Sequence, residues 1–170
     1  RNGDKITEAK SKEDWERLGI EKKPAWCYCQ NDIANGKIFG KMYKWFAVND
    51  PRGLAPKGWH IPSDSEWNLL TTVLGGDVGA GTLMKSTSGW EGSGNGTNSS
   101  KFTGLPGGIR DWGGSFLFLG KMGYWWSSTE YTNDNNFAMA RYLNNNNGEV
   151  SKIIRAKKKE SGISVRCIKD

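Results

Sequence analysis

Glycine is the residue that most limits what this chain can fold into. The 170-residue sequence contains 23 glycines, and runs of asparagine and serine surround many of them. Such residues favour turns, because glycine adopts positive φ without strain and short polar side chains bond to their own backbone. Much of the chain is therefore expected outside regular structure, which disfavours a long helical bundle.

Aromatic residues compensate for a modest apolar content. Only 36% of the residues are hydrophobic, but 12% are aromatic and nine are tryptophan. Each buried aromatic side chain removes about 150–250 Å² from water, so such a chain can still build one core. The sequence has neither an internal repeat nor a linker, and a single domain over residues 1–170 is expected.

Residues suited to proton transfer, thiol chemistry and metal binding are scarce. Cys27, Cys29 and His60 fall short of the four ligands of a zinc site. Cys27 and Cys29 are too close in sequence for an ordinary disulfide, so at most one long-range bridge is expected, leaving an odd thiol. His60 is interpreted as a buried, hydrogen-bonded histidine rather than a base.

The formal net charge of +6 does not by itself indicate nucleic-acid binding. The only dense basic run, residues 155–159, has no interleaved aromatic residues, so we interpret it as a solvated hairpin tip. No stretch approaches the about 20 apolar residues that a membrane span requires. The first ten residues do not resemble a signal peptide.

Capping signals predict helices in the first half of the chain. Ser11 is placed to cap a helix that continues to about Leu18, with Gly19 ending it. A capping-box pattern at residues 63–66 precedes a helix from about Asp64 to Leu74. Residues 78–85 are expected to add another helical turn or two.

Apolar spacing predicts one more short helix. Phe39, Met42, Tyr43 and Phe46 fall at i, i+3, i+4 and i+7, which would give that helix one apolar face. The segment from residue 87 to 98 has no such pattern, and Trp90 is expected to pin it as a loop.

Strand signals dominate the second half. After a short aromatic strand at Ala25–Tyr28, the sequence takes a period of two, in which the side chains at 137, 139, 141 and 143 alternate with Ala138, Ala140 and Tyr142. Asn147-Gly148 is a type I′ turn signal before a strand at 149–154. Residues 163–168 alternate in the same way. The C-terminal half is therefore predicted to be an antiparallel meander packed behind helices, an α+β fold.

Five ordered blocks between about Ala25 and Asp170 resemble the Fibrobacter succinogenes major paralogous domain family. The blocks are GWHIPSDSEWNLL, AGTLMKSTSGW, FTGLPGGIRDWGGSF, GYWWSSTE and GISVRCIKD. This family occurs in bacterial surface and secreted proteins, so the resemblance implies a secreted or outer-surface location, in which a lipoprotein anchor is one option.

A second, more distant similarity concerns the fold. IPSDSEW is similar to the LPTEAEW block of formylglycine-generating-enzyme-like proteins, and GISVRC is similar to their closing strand. This implies a C-type-lectin-like fold, in which two or three short helices pack on a small twisted antiparallel sheet. The long irregular loops of such folds form the binding surface.

The chain also departs from the family pattern in two places. Members often begin with a strand containing Trp-Met-x-x-Asn-Leu, and this chain starts just after it. Either the sequence is trimmed at this point, or a neighbouring sheet edge is left open and would accept a strand from a missing segment or from another chain. Members also commonly have Cys-Pro where this chain has Ala55-Pro56. If that cysteine pairs with the position of Cys167, the bridge is absent here unless Cys27 or Cys29 replaces it.

The expected function is a non-catalytic binding module for glycans or a cell-surface protein. Sugar sites combine an aromatic face with directional polar side chains, and turn or packing roles are the alternative for each candidate. The candidates in or beside the loops are Trp112, Tyr131, Asn133, Asp134, Asn135 and Asn145. The four tryptophans inside the family blocks are instead expected in the core: Trp59, Trp67, Trp125 and Trp126.

Other functions remain as alternatives. No cofactor is expected, because the ligand motifs of calcium-dependent lectins are missing, although Glu130, Asn133 and Asp134 are weak candidates for a calcium site. An assembly component, such as a pilus-tip or adhesin domain, is the second hypothesis. An enzyme related to formylglycine generation is the third. No motif matches its catalytic cysteine region, but a carboxylate pair such as Glu130 and Asp134 stays open.

Overall fold

The computed structural model describes residues 3–152 and 157–170. Within these residues it has an α+β fold with five α-helices rather than two or three. The helices are α1 Lys12–Ile20, α2 Ile33–Phe39, α3 Trp45–Val48, α4 Asp64–Val73 and α5 Asp77–Met84. The strands are β1 Thr7–Glu8, β2 Ala25–Tyr28, β3 Lys41–Lys44, β4 Trp59–His60, β5 Ile109–Arg110, β6 Phe116–Leu117, β7 Met122–Glu130, β8 Phe137–Asn144, β9 Ser151–Lys152, β10 Lys157–Lys158, β11 Gly162–Ile163 and β12 Ile168–Lys169.

The strands form three small sheets. The first has the order β1-β2-β3-β11-β5-β6, in which only the edge pair β1–β2 is parallel. The second contains β10, β8 and β7, with β9 also paired to β8, and the third is the pair β12–β4. Among the described helices, none is long and apolar enough to cross a membrane.

The predicted start of α1 is confirmed, but its end lies further along the chain. The Ser11 hydroxyl accepts a hydrogen bond from the Asp14 amide at 3.0 Å, and the helix continues through Gly19 to Ile20. A Cβ at Gly19 would lie 3.2 Å from the Glu160 side chain. Gly19 therefore permits close packing inside the helix and does not terminate it.

The predicted capping box of α4 is confirmed. The Ser63 hydroxyl accepts from the Glu66 amide at 3.3 Å, and a Glu66 carboxylate oxygen accepts from the Ser63 amide at 2.7 Å. The helix ends at Val73 with Leu74 as its C-cap. The helical turns predicted beyond it form α5. These local signals succeed because both partners of each bond lie within one turn.

The short helix predicted from the spacing of Phe39, Met42, Tyr43 and Phe46 is wrong. α2 ends at Phe39, and Gly40 reverses the chain with φ of 76°. The next four residues form β3, which pairs with β2 on one side and β11 on the other. Two neighbouring strands satisfy the backbone of β3, so tertiary pairing overrides the helical spacing.

The predicted C-terminal strand is divided between two sheets. Gly162–Ile163 enters the centre of the first sheet between β3 and β5, whereas Ile168–Lys169 pairs with β4. The alternation from 163 to 168 therefore does not belong to one strand. Its first half pairs with strands of the six-stranded sheet. Its second half pairs with β4, which precedes α4 in the chain.

The predicted type I′ turn at Asn147-Gly148 is also wrong, because neither residue has positive φ. The Asn144 carboxamide oxygen instead accepts from the amides of Asn146 and Asn147 at 2.8 and 3.1 Å. A Cβ at Gly148 would lie 2.4 Å from the Thr82 hydroxyl, so close packing against α5 requires this glycine. The following strand is only β9, and residues 153 and 154 lie outside the described part.

Three of the four tryptophans predicted to be buried are core residues. Trp67 and Trp125 share one cluster with Leu143, and Trp126 belongs to a second. Trp59 is 40% exposed, so its core assignment is wrong. It lies on the two-residue strand β4, which has a partner on one side only.

Trp90 pins its loop as expected. Its indole nitrogen donates to the Ser86 hydroxyl and to the Gly104 carbonyl, both at 3.1 Å, and the ring is buried. The loop therefore folds back on the end of α5 without regular structure of its own.

Candidate functional site

The structure brings most of the predicted ligand residues to one surface, which we call the Trp112 face. Trp112 follows β5 and is 56% exposed. The Lys158 ammonium lies 4.2 Å from its ring centroid. Lys158 is paired with Phe137 at the start of β8, so it links Trp112 to the preceding turn. The face comprises Trp112, Glu130–Asn136, Lys158 and Lys159.

Several polar atoms of this turn already have partners within it. The Asp134 carboxylate accepts from the backbone and side-chain amides of Asn136, both at 2.9 Å. The Asn133 side chain donates to the Tyr131 hydroxyl at 3.3 Å. Asn135 is exposed. These bonds hold the turn in shape and leave fewer groups for a ligand.

An ion pair between a buried lysine and a half-exposed glutamate occupies the base of the same face. The Lys159 side chain is 8% exposed and its ammonium donates to the Glu130 carboxylate. It also lies 4.6 Å from the centroid of the Trp45 ring. The prediction of a solvated tip is therefore wrong for Lys159, while residues 155 and 156 lie outside the described part.

The pairing also limits ion binding. Glu130 is engaged by Lys159, and Asp134 by its own turn. Within the described residues, no group of three His, Cys, Asp or Glu side chains is placed to hold a metal ion. The weak calcium candidates thus lie close in sequence without forming an oxygen cage here.

Asn145 lies away from the other candidates. Its backbone amide donates to the Lys121 carbonyl at 2.9 Å, and its side chain donates to the Glu91 carbonyl at 3.4 Å. The eight residues of β8 separate it from the turn, a span of about 26 Å for extended chain. Asn145 and the Trp112 face therefore cannot contact one small ligand together.

A concave surface lies on the first sheet, where no ligand residue was predicted. This surface, the Trp26 groove, has a volume of about 670 Å³. It is lined by Asp4, Lys5, Ile6, Thr7, Glu8, Trp26, Lys41, Tyr43, Ala47, Asp50, Arg52, Gly53 and Leu54. A volume of this size falls within the roughly 300–1,000 Å³ typical of ligand sites.

Two aromatic rings share the sheet face that opens into the groove. Trp26 on β2 lies directly opposite Tyr43 on β3, and such opposite residues point to the same face. On the other face of these strands, Cys27 and Met42 are buried in the core. The alternation of the two strands therefore separates core from groove.

Trp26 is held in place from three directions. Its indole nitrogen donates to the Ile6 carbonyl at 3.0 Å. The Tyr28 ring meets it edge-on, with centroids 5.0 Å apart. The Lys41 ammonium lies 3.8 Å from its ring centroid, because Lys41 is its diagonal neighbour across the strands. The ring is thus fixed before any ligand arrives.

Charged side chains form the rim of the groove. Arg52 donates to both carboxylate oxygens of Asp50, at 2.8 Å each, and to Asp4 at 3.3 Å. The Arg52 hydrogen bonds hold the pKa of Asp50 below its usual range. Within residues 3–152 and 157–170, no carboxylate forms an ion pair with Lys41. The rim therefore offers donors and acceptors beside an aromatic floor.

Sequence reasoning missed the groove because it assigned Tyr43 to the apolar face of a helix. Burial alternates in β3, where Lys41 is exposed and Tyr43 partly exposed while Met42 and Lys44 are buried, but the buried lysine hides this alternation in the sequence. The same period occurs in β2. The register that places Trp26 opposite Tyr43 cannot be obtained from either segment alone.

His60 differs from its predicted environment. Its side chain is 40% exposed and lies between two carboxylates, with Nδ1 at 2.7 Å from Asp170 and Nε2 at 2.7 Å from Glu66. The hydrogen bonds to Asp170 and then Glu66 raise the pKa of His60. This cluster connects β4, α4 and Asp170, the residue after β12. It therefore holds three separate parts of the chain together.

All three thiols are free. Cys27 and Cys29 are buried, and burial raises the pKa of each to about 11. Cys167 is partly exposed and packs against the core cluster that contains Ala55. Alanine therefore occupies the neighbourhood in which the family's cysteine was expected to meet Cys167.

The family model of the Fibrobacter succinogenes major domain matches residues 1–169. No curated protein matches the chain. No solved structure matches it either.

Proposed function

We propose that this chain, which belongs to the Fibrobacter succinogenes major domain family, is a non-catalytic binding module that recognises glycans. The observation behind this proposal is the pair Trp26 and Tyr43 on the floor of the Trp26 groove. The apolar face of a sugar ring packs against an aromatic side chain, while hydroxyls bond to polar groups around it.

Rigidity of the floor supports the proposal. Trp26 is fixed by Ile6, Tyr28 and Lys41. A ring that is already ordered loses little conformational entropy on binding, and preorganisation of this kind raises affinity without further contacts. The rim residues Asp50 and Arg52 would supply directional hydrogen bonds to hydroxyls.

The state of the thiols supports a non-catalytic role. A thiolate is the reactive form of cysteine, and Cys27 and Cys29, with pKa values of about 11, are protonated at neutral pH. Both side chains are also buried. They pack with Trp15 and Met42 in one core cluster, where their role is to fill the core.

Location and fold belong to the same proposal. A glycan-binding module of this family would act secreted or attached to the outer surface of a bacterium. The fold would be a variant of the C-type-lectin-like type. The capped helix α4, the following irregular segment and the long hairpin β7–β8 follow one another in the order that such a fold requires.

A glycan array with two matched variants tests the proposal. Trp26→Leu removes the groove platform, and Trp112→Leu removes the ring of the Trp112 face. We expect the first variant to lose the array signal and the second to keep it. Loss of the array signal in Trp112→Leu alone would indicate that the Trp112 face is the binding site. Because the Trp26 side chain is partly buried, replacing it can disturb the fold. Lys41→Gln therefore provides a second groove variant, at an exposed side chain.

Two further results of this array would contradict the proposal. An unchanged signal in all three variants would remove both rings as sugar platforms. A wild-type protein that binds no glycan would exclude the ligand class and favour a surface protein as the partner.

Assembly is the second candidate function, and one observation favours it. β1, of two residues, is an edge strand of the six-stranded sheet and pairs with β2 over Thr7 and Glu8 only. Another strand could pair with this edge. Sedimentation or light scattering would detect a concentration-dependent oligomer, and Thr7→Pro should abolish it if the edge is responsible.

A further inference from the structure

A second pocket lies between α4 and the C-terminal segment. This Arg166 pocket has a volume of about 380 Å³. It is lined by Pro62, Glu66, Trp67, Leu70, Lys101, Phe102, Arg166, Cys167 and Ile168. It shares no residue with the Trp26 groove or the Trp112 face.

The walls of the pocket are mainly apolar and well ordered. The Phe102 ring meets the Trp67 ring edge-on, with centroids 5.8 Å apart. Phe102 also packs edge-on against the buried Trp125 at 5.1 Å. Leu70 packs against the same core cluster. Such walls fit a flat apolar group.

Two cations in the lining have no carboxylate partner in the part of the chain that the structure describes. Arg166 donates to the Thr103 carbonyl at 3.2 Å, and its guanidinium lies 5.3 Å from the Phe102 ring centroid. Lys101 lies beside the same wall. An arginine that uses one donor in this way retains others for a carboxylate.

The one carboxylate in the lining is already occupied. Glu66 accepts from the Ser63 amide at 2.7 Å and lies 2.7 Å from His60 Nε2. Its charge is therefore offset by the capping box and the imidazole. In addition, the buried indole nitrogen of Trp67 has no hydrogen-bond partner among the described residues.

We propose that the Arg166 pocket binds a small organic monocarboxylate with a flat apolar body. The body packs between Trp67, Leu70 and Phe102, and the carboxylate pairs with the guanidinium of Arg166, with Lys101 adding a second positive charge. The volume limits the ligand to about one ring with a short chain, since it lies near the lower end of the roughly 300–1,000 Å³ range.

Cys167 provides a direct readout, because it lines this pocket while Cys27 and Cys29 are buried elsewhere. The rate of Cys167 alkylation by iodoacetamide is measured by mass spectrometry in the presence of 3-phenylpropionate or its uncharged analogue, 3-phenylpropanamide. At about ten times Kd the carboxylate should slow alkylation about tenfold, since only the free fraction reacts. The amide should bind at least about tenfold more weakly, because it lacks the charge-assisted bond.

Substitutions of single cations test which side chain pairs with the carboxylate of the ligand. Arg166→Gln should bring the affinity for the carboxylate down to that for the amide, whereas Lys169→Gln, at an exposed cation outside the lining, should leave it unchanged. Saturable protection that is equal for carboxylate and amide, no saturable protection, or full affinity in Arg166→Gln would each overturn the proposal. If Arg166→Gln loses its near-ultraviolet circular dichroism, Lys101→Gln replaces it: this variant should weaken binding of the carboxylate and leave binding of the amide unchanged, and an unchanged affinity for the carboxylate would overturn the proposal. Neither result depends on glycan binding.

Discussion

The Trp26 groove and the Trp112 face both combine aromatic rings with polar side chains, but they use them differently. In the groove, hydrogen bonds and stacking fix the ring of Trp26, and polar groups lie around a cavity. On the Trp112 face, the ring is exposed. Acidic groups are engaged by neighbours on both surfaces, Asp50 in the groove and Asp134 and Glu130 on the Trp112 face, so the difference lies in the fixed ring and the cavity beside it.

This difference teaches that suitable residue types do not by themselves make a site. Asparagine and aspartate in a turn bond to the backbone around them, and that use competes with ligand binding. A groove arises where strand register places rings side by side and a loop encloses them. The predictions below separate these two situations.

The largest expected difference is in stability. Trp26→Ala should lower the free energy of unfolding by about 2–4 kcal/mol, because it removes a half-buried ring and its bond to Ile6. Trp112→Ala should cost less than about 1 kcal/mol, since the ring is mostly exposed. Urea denaturation measures both, and equal losses would show that the two rings are equally embedded.

The ion pairs of the two surfaces should also differ. Glu130→Gln should cost about 1–3 kcal/mol, because it leaves the buried ammonium of Lys159 without its carboxylate. Asp50→Asn should cost less, since the Arg52 side chain that it leaves behind is 43% exposed and keeps its bond to Asp4. The comparison is made from urea midpoints at unchanged slope. A larger loss at Asp50 would reverse this ranking.

His60 gives a pH-dependent reference outside both surfaces. Its pKa is raised in the folded state, first by Asp170 and then by Glu66. Its stabilising contribution is therefore complete below about pH 6.5, the unfolded pKa, and is lost as pH rises through the folded pKa. The thermal midpoint of the wild type relative to His60→Gln should fall over that interval. A pH-independent difference would mean that the imidazole stabilises only by packing.

Calcium should have the smallest effect. Glu130 and Asp134 are engaged by Lys159 and Asn136, so millimolar calcium added after chelation should leave the thermal midpoint unchanged. Magnesium serves as the control ion. A midpoint that rises with calcium alone would show that the Trp112 face rearranges into an oxygen cage, since a ligand of the folded state stabilises it.

Local signals predicted local structure well. The cap at Ser11 and the capping box at Ser63 are formed as expected, because each depends on residues within one turn. The helix predicted over 39–46 is wrong because β2 and β11 pair with residues 41–44, and no local pattern contains that pairing. The prediction that Trp59 is a core residue is wrong for a related reason, since its burial depends on how many strands flank β4.

The sequence predicted only part of the candidate site. The neighbours Tyr131, Asn133, Asp134 and Asn135 lie together because they share one turn, and Lys158 adds Trp112 to them. Their role in binding stays a prediction.

The family, the α+β class and the starts of α1 and α4 could be read from the sequence, since they depend on ordered blocks and on bonds between near neighbours. Tertiary structure decided which aromatic rings face a groove. That outcome depends on the register between β2 and β3, and shifting a strand by one residue would move Trp26 to the core face. Likewise, only packing could show that Arg166, Lys101 and Phe102 surround one pocket.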